Sequence, residues 1–128
     1  MSNGDYSFYV PKNSAFNIER DLYFDNRIMI ERKGSLEELS GNLTTNRARF
    51  EEELATFSGK KYLLIESANY HDIINGNYET KFNKSSYAAG IHTFDHRYDL
   101  RIIFVPQKEY TGYYIYGVLK YYLKNNLR

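Results

Sequence analysis

The stretch Arg27–Leu43, RIMIERKGSLEELSGNL, decides how this chain is read. Its first seven residues alternate like a half-buried strand and end in Glu-Arg-Lys. Side chains alternate across a strand, so Glu31 and Lys33 share one face while Ile28, Ile30 and Arg32 share the other. The next residues open a helix. Ser35 followed by Glu38 is the S-x-x-E capping-box pattern, in which each side chain satisfies a backbone N–H of the first turn. Leu36, Leu39, Leu43, Arg47, Phe50, Leu54 and Phe57 then recur at three- and four-residue steps, which predicts one helical face. Gly41 inside that run predicts a kink or a break, and Gly59 is expected to stop the helix.

Working outward from this strand–helix junction, residues 4–10 (GDYSFYV) read as a strand and 11–20 as a loop, with a turn at Asp25-Asn26. KYLLIES is a short, almost wholly apolar strand, as in the buried middle of a sheet. Residues 68–84 are mixed and hold at least one loop. Ser85–Arg97 predicts a helix with Tyr87, Ile91 and Phe94 inward. LRIIFV is another buried strand, stopped by Pro106. Tyr110–Lys124 predicts a helix with Tyr114, Ile115, Val118, Leu119 and Tyr122 on one side. The order is an opening antiparallel hairpin followed by helical crossovers, an α/β domain with a mixed sheet.

With 128 residues the chain has the size of one domain. A net charge of +1 argues against a highly basic nucleic-acid coat protein and against an acidic tail, while leaving local basic patches open. The absence of cysteine excludes disulfide frameworks and thiolate metal sites and permits a reducing cytoplasm. No apolar run reaches the roughly 20 residues of a membrane span. Aromatic load is the unusual feature: fourteen tyrosines and eight phenylalanines, with no tryptophan, supply much of the hydrophobic area.

Glu31 and Lys33 would bring opposite charges into one small volume at a strand end. A hard divalent cation takes oxygen ligands, which the Glu31 carboxylate and the Arg32 carbonyl can supply. Lys33 would then stand beside a nucleophilic water or a phosphate. Asp5, on the preceding strand, is a candidate for the second carboxylate. Against this stands the ordinary reading, in which Glu and Lys two apart form a solvated pair worth well under about 1 kcal/mol.

Gly4-Asp5-Tyr6, then Ile30-Glu31-Arg32-Lys33, then a helix with an acidic opening resembles the signature of the XPF-type structure-specific endonucleases, G-D-x(n)-E-R-K-x(3)-D. These belong to the PD-(D/E)XK nucleases, with a restriction-endonuclease-like mixed sheet flanked by helices. Glu37 occupies the place of the final aspartate, a departure that keeps the carboxylate on a longer arm. NLTTNRARFEEEL resembles the helix that carries a recurring arginine, here Arg47, and YLLIES resembles the following strand, ending in Glu66. The long insertion between Asp5 and Glu31 and the tyrosine-rich ending look most like phage and prophage members.

The resemblance implies that Asp5, Glu31 and the Arg32 carbonyl hold Mg²⁺ or Mn²⁺, and that Lys33 assists the water attacking a DNA phosphodiester. It also implies a role in repair or recombination on branched or forked DNA, in a bacterial or phage-infected cytoplasm. Homodimers are common among the nucleases it resembles. Those nucleases carry a further strand and helix before Gly-Asp-Tyr, so the chain is expected to be an N-terminally truncated nuclease domain with an exposed sheet edge. A non-catalytic DNA-binding or dimerisation module of the same fold is the alternative. The intact Asp5, Glu31 and Lys33 favour the enzyme.

The supporting residues stay open at this point. The Arg32 side chain is expected to clamp a neighbouring acid or loop. Glu37 would hold a water, orient Lys33, or favour the helix N-terminus by charge–dipole attraction. Arg47 snorkels, pairs with a carboxylate or reaches DNA. Glu66 is a wall of the site or a solvated strand end. Lys60, Lys61, Lys81 and Lys84 are candidate phosphate contacts. His92 and His96 are spaced for a transition metal, but neither His71 nor another side chain supplies a clear third ligand.

Overall fold

The computed structural model describes residues 6–7, 9–10, 22–23 and 27–126. Six strands and five helices are present among them: β1 (Tyr6–Ser7), β2 (Tyr9–Val10), β3 (Leu22–Tyr23), β4 (Ile28–Lys33), α1 (Leu36–Leu43), α2 (Arg47–Thr56), β5 (Lys60–Glu66), α3 (Tyr70–Ile74), α4 (Lys84–Tyr98), β6 (Leu100–Val105) and α5 (Thr111–Asn126). The main sheet has the order β1-β4-β5-β6. β4, β5 and β6 are parallel, and β1 runs antiparallel to β4. This is the α/β class with a mixed sheet expected from the alternation of strand and helix patterns.

Parallel strands need crossovers, and both run in the same direction along the sheet, β4 to β5 and β5 to β6. Their helices therefore cover one face. There Met29, Leu63, Ile65 and Leu100 of the sheet pack with Leu36, Leu39, Leu43, Phe50, Leu54, Ile73, Tyr87, Ile91 and Phe94 of α1–α4. The expected inward residues of α4 are all in this core. On the other face Ile28, Ile30 and Leu64 of the sheet and Leu123 of α5 are buried, and Tyr62, Val118, Leu119 and Tyr122 are partly buried around Ile28 and Leu123.

Four local expectations are corrected. Residues 4–10 do not form one strand on the sheet: Tyr6–Ser7 pairs with β4, whereas Tyr9–Val10 pairs with β3 in a separate two-stranded sheet. The long helix does break, but after Leu43, not at Gly41. The Thr44 hydroxyl donates to the Ser40 carbonyl, and the Gly41 carbonyl accepts from the N–H groups of both Thr44 and Asn46. These bonds close the turn locally. Gly59 does not stop α2, which ends as Phe57 turns extended. Gly59 is needed for another reason: a Cβ there would lie 2.3 Å from the Arg27 carbonyl carbon and oxygen. In the capping box, Ser35 Oγ accepts from the Glu38 N–H as expected, but Glu38 accepts from the N–H of Gly34, one residue earlier than the pattern prescribes.

Candidate active site at the carboxyl end of β4

β4 pairs with β5 along its whole length, from Ile28 to Lys33, and with β1 at Met29 and Ile30. Glu31 and Lys33 point to the α1–α4 face and are both buried. Lys33 Nζ lies 2.9 Å from Glu31 Oε2, with the two side chains 11% and 10% exposed. Exposure this low removes the solvated-edge reading, because such pairs owe their weakness to water on both partners. The ammonium also stands 5.8 Å from the centre of the Phe50 ring, a cation–π distance. The pair sits at the carboxyl end of a parallel strand, immediately before the first turn of α1, where open α/β sheets place their ligand crevices.

The Arg32 side chain turns to the opposite face and forms a separate assembly. Its guanidinium is 2.7 Å from Glu66 Oε1, and Thr111 Oγ1 donates to Glu66 Oε2 at 2.5 Å. The threonine hydroxyl first, and the guanidinium after it, hold the Glu66 carboxyl below its ordinary range despite burial. Arg32 thus clamps an acid, as expected. Glu66 is neither solvated nor on the face of Glu31 and Lys33, because the register pairs Lys33 with Ile65 and leaves Glu66 on the Arg32 side. Sequence inspection missed Thr111; only its place at the start of an amphipathic helix hinted at a capping or tethering role.

Glu37 is exposed in the first turn of α1 and accepts from the Glu79 N–H at 2.7 Å. That hydrogen bond is the main reason its carboxyl is held below the usual range. It fastens the loop between α3 and α4 beside the start of α1, which Tyr87 reinforces by donating to the Leu36 carbonyl at 2.6 Å. Arg47 opens α2, pairs with Glu51 at 2.9 Å and lies over the Phe94 ring at 5.2 Å. Since Phe50 and Phe94 stack on each other at 5.7 Å, two aromatic rings separate Arg47 from Lys33. Glu51 is the centre of its own group, receiving Arg47, Arg97 and the Tyr98 hydroxyl. These partners, Tyr98 foremost, bring its carboxyl down to about 2.

Of the candidate phosphate contacts, Lys81 and Lys84 are exposed on the α3–α4 loop and the first turn of α4, the end of the molecule tied to α1. Lys60 and Lys61 begin β5, five and four strand positions, or about 16 and 13 Å, from the Lys33 level. Lys61 there caps α2 by donating to the Phe57 carbonyl. The structure therefore divides the four lysines, with only Lys81 and Lys84 on the site's side.

A hard cation fits the donor chemistry of the Glu31 carboxylate and the Arg32 carbonyl. Asp5 lies outside the described residues; β1 begins with the residue after it, and Tyr6 pairs with Ile30, the residue before Glu31. Among the described residues no three His, Cys, Asp or Glu side chains converge as metal ligands. His92 and His96 are exposed on α4, and His92 Nε2 shares a hydrogen bond of 2.8 Å with the Tyr70 hydroxyl. No described helix is long and apolar enough to cross a membrane. Comparison with known protein families, with curated proteins and with solved structures finds no match.

Proposed function

We propose that the chain is a metal-dependent DNA endonuclease domain of the XPF type, hydrolysing phosphodiester bonds at branched or forked DNA. The observation that supports it is the buried Glu31–Lys33 pair at the carboxyl end of the central strand. Two opposite charges removed from water add little stability over an apolar pair of the same volume, so their presence is better accounted for by chemistry than by folding.

In this reading the Glu31 carboxylate and the Arg32 carbonyl, with Asp5, would hold Mg²⁺ or Mn²⁺. When bound, such an ion supplies Lewis-acid polarisation of the phosphate and eases deprotonation of water. Lys33, held by Glu31 and braced on Phe50, keeps its ammonium in place to donate a hydrogen bond to the attacking water or to a phosphate oxygen as charge builds there. Arg32, Glu66 and Thr111 position the strand end from the other face without touching substrate. Glu37 would act by fastening the α3–α4 loop to the start of α1, the loop that carries Lys81 and leads to Lys84, both available to the DNA backbone in this reading.

Labelled forked, flapped and linear duplex DNA, incubated with the chain in Mg²⁺ and in Mn²⁺, tests the reading. Cleavage should require the cation, favour the branched substrates, and fall at least about 100-fold in both Glu31→Gln and Lys33→Ala. A folded wild-type chain that cuts none of these DNAs would sink the enzyme reading. Cation-independent binding that survives in both variants would instead make the chain a DNA-binding module.

A further inference from the structure

We propose that the outer face of α5 is a binding surface for single-stranded nucleic acid, distinct from the Glu31–Lys33 crevice and independent of any cleavage there. Residues three and four apart share a helix face. On the side turned away from Leu119, Tyr122 and Leu123, Gly117 has Tyr113 four residues before it, Lys120 three after and Tyr121 four after. Lys124 continues the row. Tyr113 is 77% exposed, Tyr121 56% and Tyr116 44%. Tyr110 stands before the helix with its ring 6.3 Å from that of Tyr113. Lys120 Nζ lies 5.8 and 5.6 Å from the rings of Tyr116 and Tyr121, and Lys124 Nζ lies 5.4 Å from Tyr121. α5 has no acidic residue. Apart from Gly117 the row is aromatic and cationic, which complements a polyanion carrying unstacked bases.

The glycines supply a second observation. A Cβ at Gly112 or at Gly117 would meet nothing within 4 Å, so packing requires neither. Each weakens the helix by about 1 kcal/mol relative to alanine. Bare helix backbone between tyrosines lets a flat base or a sugar come closer than a methyl group would allow. Gly112 also lies in a shallow groove with Glu109, Tyr113 and Tyr116. From Tyr113 to Lys124 the row rises about 16 Å, enough for no more than about five phosphates of one stacked strand. It starts two residues after Thr111, which is tied to Glu66 beside the end of β4.

The test is fluorescence anisotropy in EDTA with a labelled oligo-dT and the same length of duplex, over a series of salt concentrations. The expected result is tighter binding of oligo-dT than of duplex. Tyr113→Ala and Tyr121→Ala should each weaken it about tenfold, and Tyr113→Phe should keep most of the affinity. Lys120→Ala and Lys124→Ala should each lower the log–log salt slope by about 0.7. Gly117→Ala should raise the thermal midpoint while weakening binding, a pairing that a purely structural glycine would not give. The exposed Lys60→Ala, at the other end of β5, should bind like the wild type. Three results overturn the proposal: no preference for oligo-dT, equal losses in Lys60→Ala and Lys120→Ala, or a dimer in sedimentation that Tyr113→Ala dissociates. Because no cation is present and nothing is cut, failure of the nuclease reading leaves this result intact.

Discussion

A buried lysine and a buried glutamate support each other, and removing one exposes the desolvation penalty of the other. Lys33→Met takes the ammonium away from a carboxylate only 2.9 Å distant and should lower stability by about 3 kcal/mol in urea denaturation. The double variant Glu31→Gln with Lys33→Met should recover at least half of that loss, since a neutral amide no longer needs the ammonium. Equal destabilisation in the single and double variants would mean that Lys33 matters through its packing on Phe50 and not through charge. Glu51 makes a different prediction. Its carboxyl sits at about 2 against an ordinary 4.5, so its stabilisation is fully present above about pH 4.5 and is lost as the pH falls through about 2. In that window Glu51→Gln should show a shallower fall of stability with acid than the wild type. Glu37 and Glu66, also depressed, would leave part of the slope. The sequence left Arg47 to snorkel, pair with a carboxylate or reach DNA; Glu51 at i, i+4 is the carboxylate it pairs with, while Arg97 and Tyr98 lie 46 and 47 residues beyond Glu51, where no local pattern announces them. The same limit hid the Glu66–Thr111 bond.

At the scale of elements, periodicity and caps made β4, β5, β6, α1, α4 and α5 readable, because each buries a stripe that its own sequence repeats. α3 escaped: five residues give too short a run for a period, and its Asn69–Asp72 capping box is the one local sign of it. The two-part α1–α2 was half legible. Gly41 drew the break toward itself, yet Thr44 competes for backbone carbonyls more effectively than a glycine and sets the end of α1. Gly59 was read as a helix stop when its real constraint is the backbone of Arg27, just before the neighbouring strand β4, which sequence spacing does not display. Two alanine substitutions separate these kinds of glycine. Gly59→Ala places a methyl carbon 2.3 Å from the Arg27 carbonyl and must push apart the start of the β4–β5 ladder, where the Lys60 N–H donates to the Arg27 carbonyl at 2.8 Å. It should destabilise by about 2 kcal/mol or more, in the range of other strained or overpacked sites. Gly112→Ala, with open space around its Cβ, should stabilise α5 by about 1 kcal/mol. Thermal melts of both variants beside the wild type read the opposite signs directly.

At the scale of the whole molecule, the described helices divide between the two faces of the sheet, α1–α4 on one and α5 on the other. α1–α4 bury an apolar layer against Leu63 and Ile65, with the Glu31–Lys33 pair at its edge, whereas α5 contributes two buried side chains, Thr111 and Leu123, and a margin of partly buried ones. The same-side crossovers follow from the strand order, and the alternation of side chains along β4 alone separates Glu31 and Lys33 from Arg32. What the alternation could not reveal is the polar chain Arg32–Glu66–Thr111, which ties the start of α5 to the carboxyl ends of β4 and β5 in addition to the apolar packing of Leu123 on Ile28. Local opening free energies follow buried apolar contact, so α5 should exchange its backbone amides well before β4 and β5 do. Thr111→Val removes the hydroxyl that holds Glu66 and leaves a buried carboxylate oxygen without that donor, a change of about 1–3 kcal/mol. If that chain is the tether, hydrogen exchange should quicken across the first turns of α5 by roughly ten- to a hundredfold, while the amides of Leu63–Ile65 keep their protection. Equal acceleration in β5 would show instead that α5 and the sheet open as one unit, held by Leu123 and its neighbours and not by the polar chain.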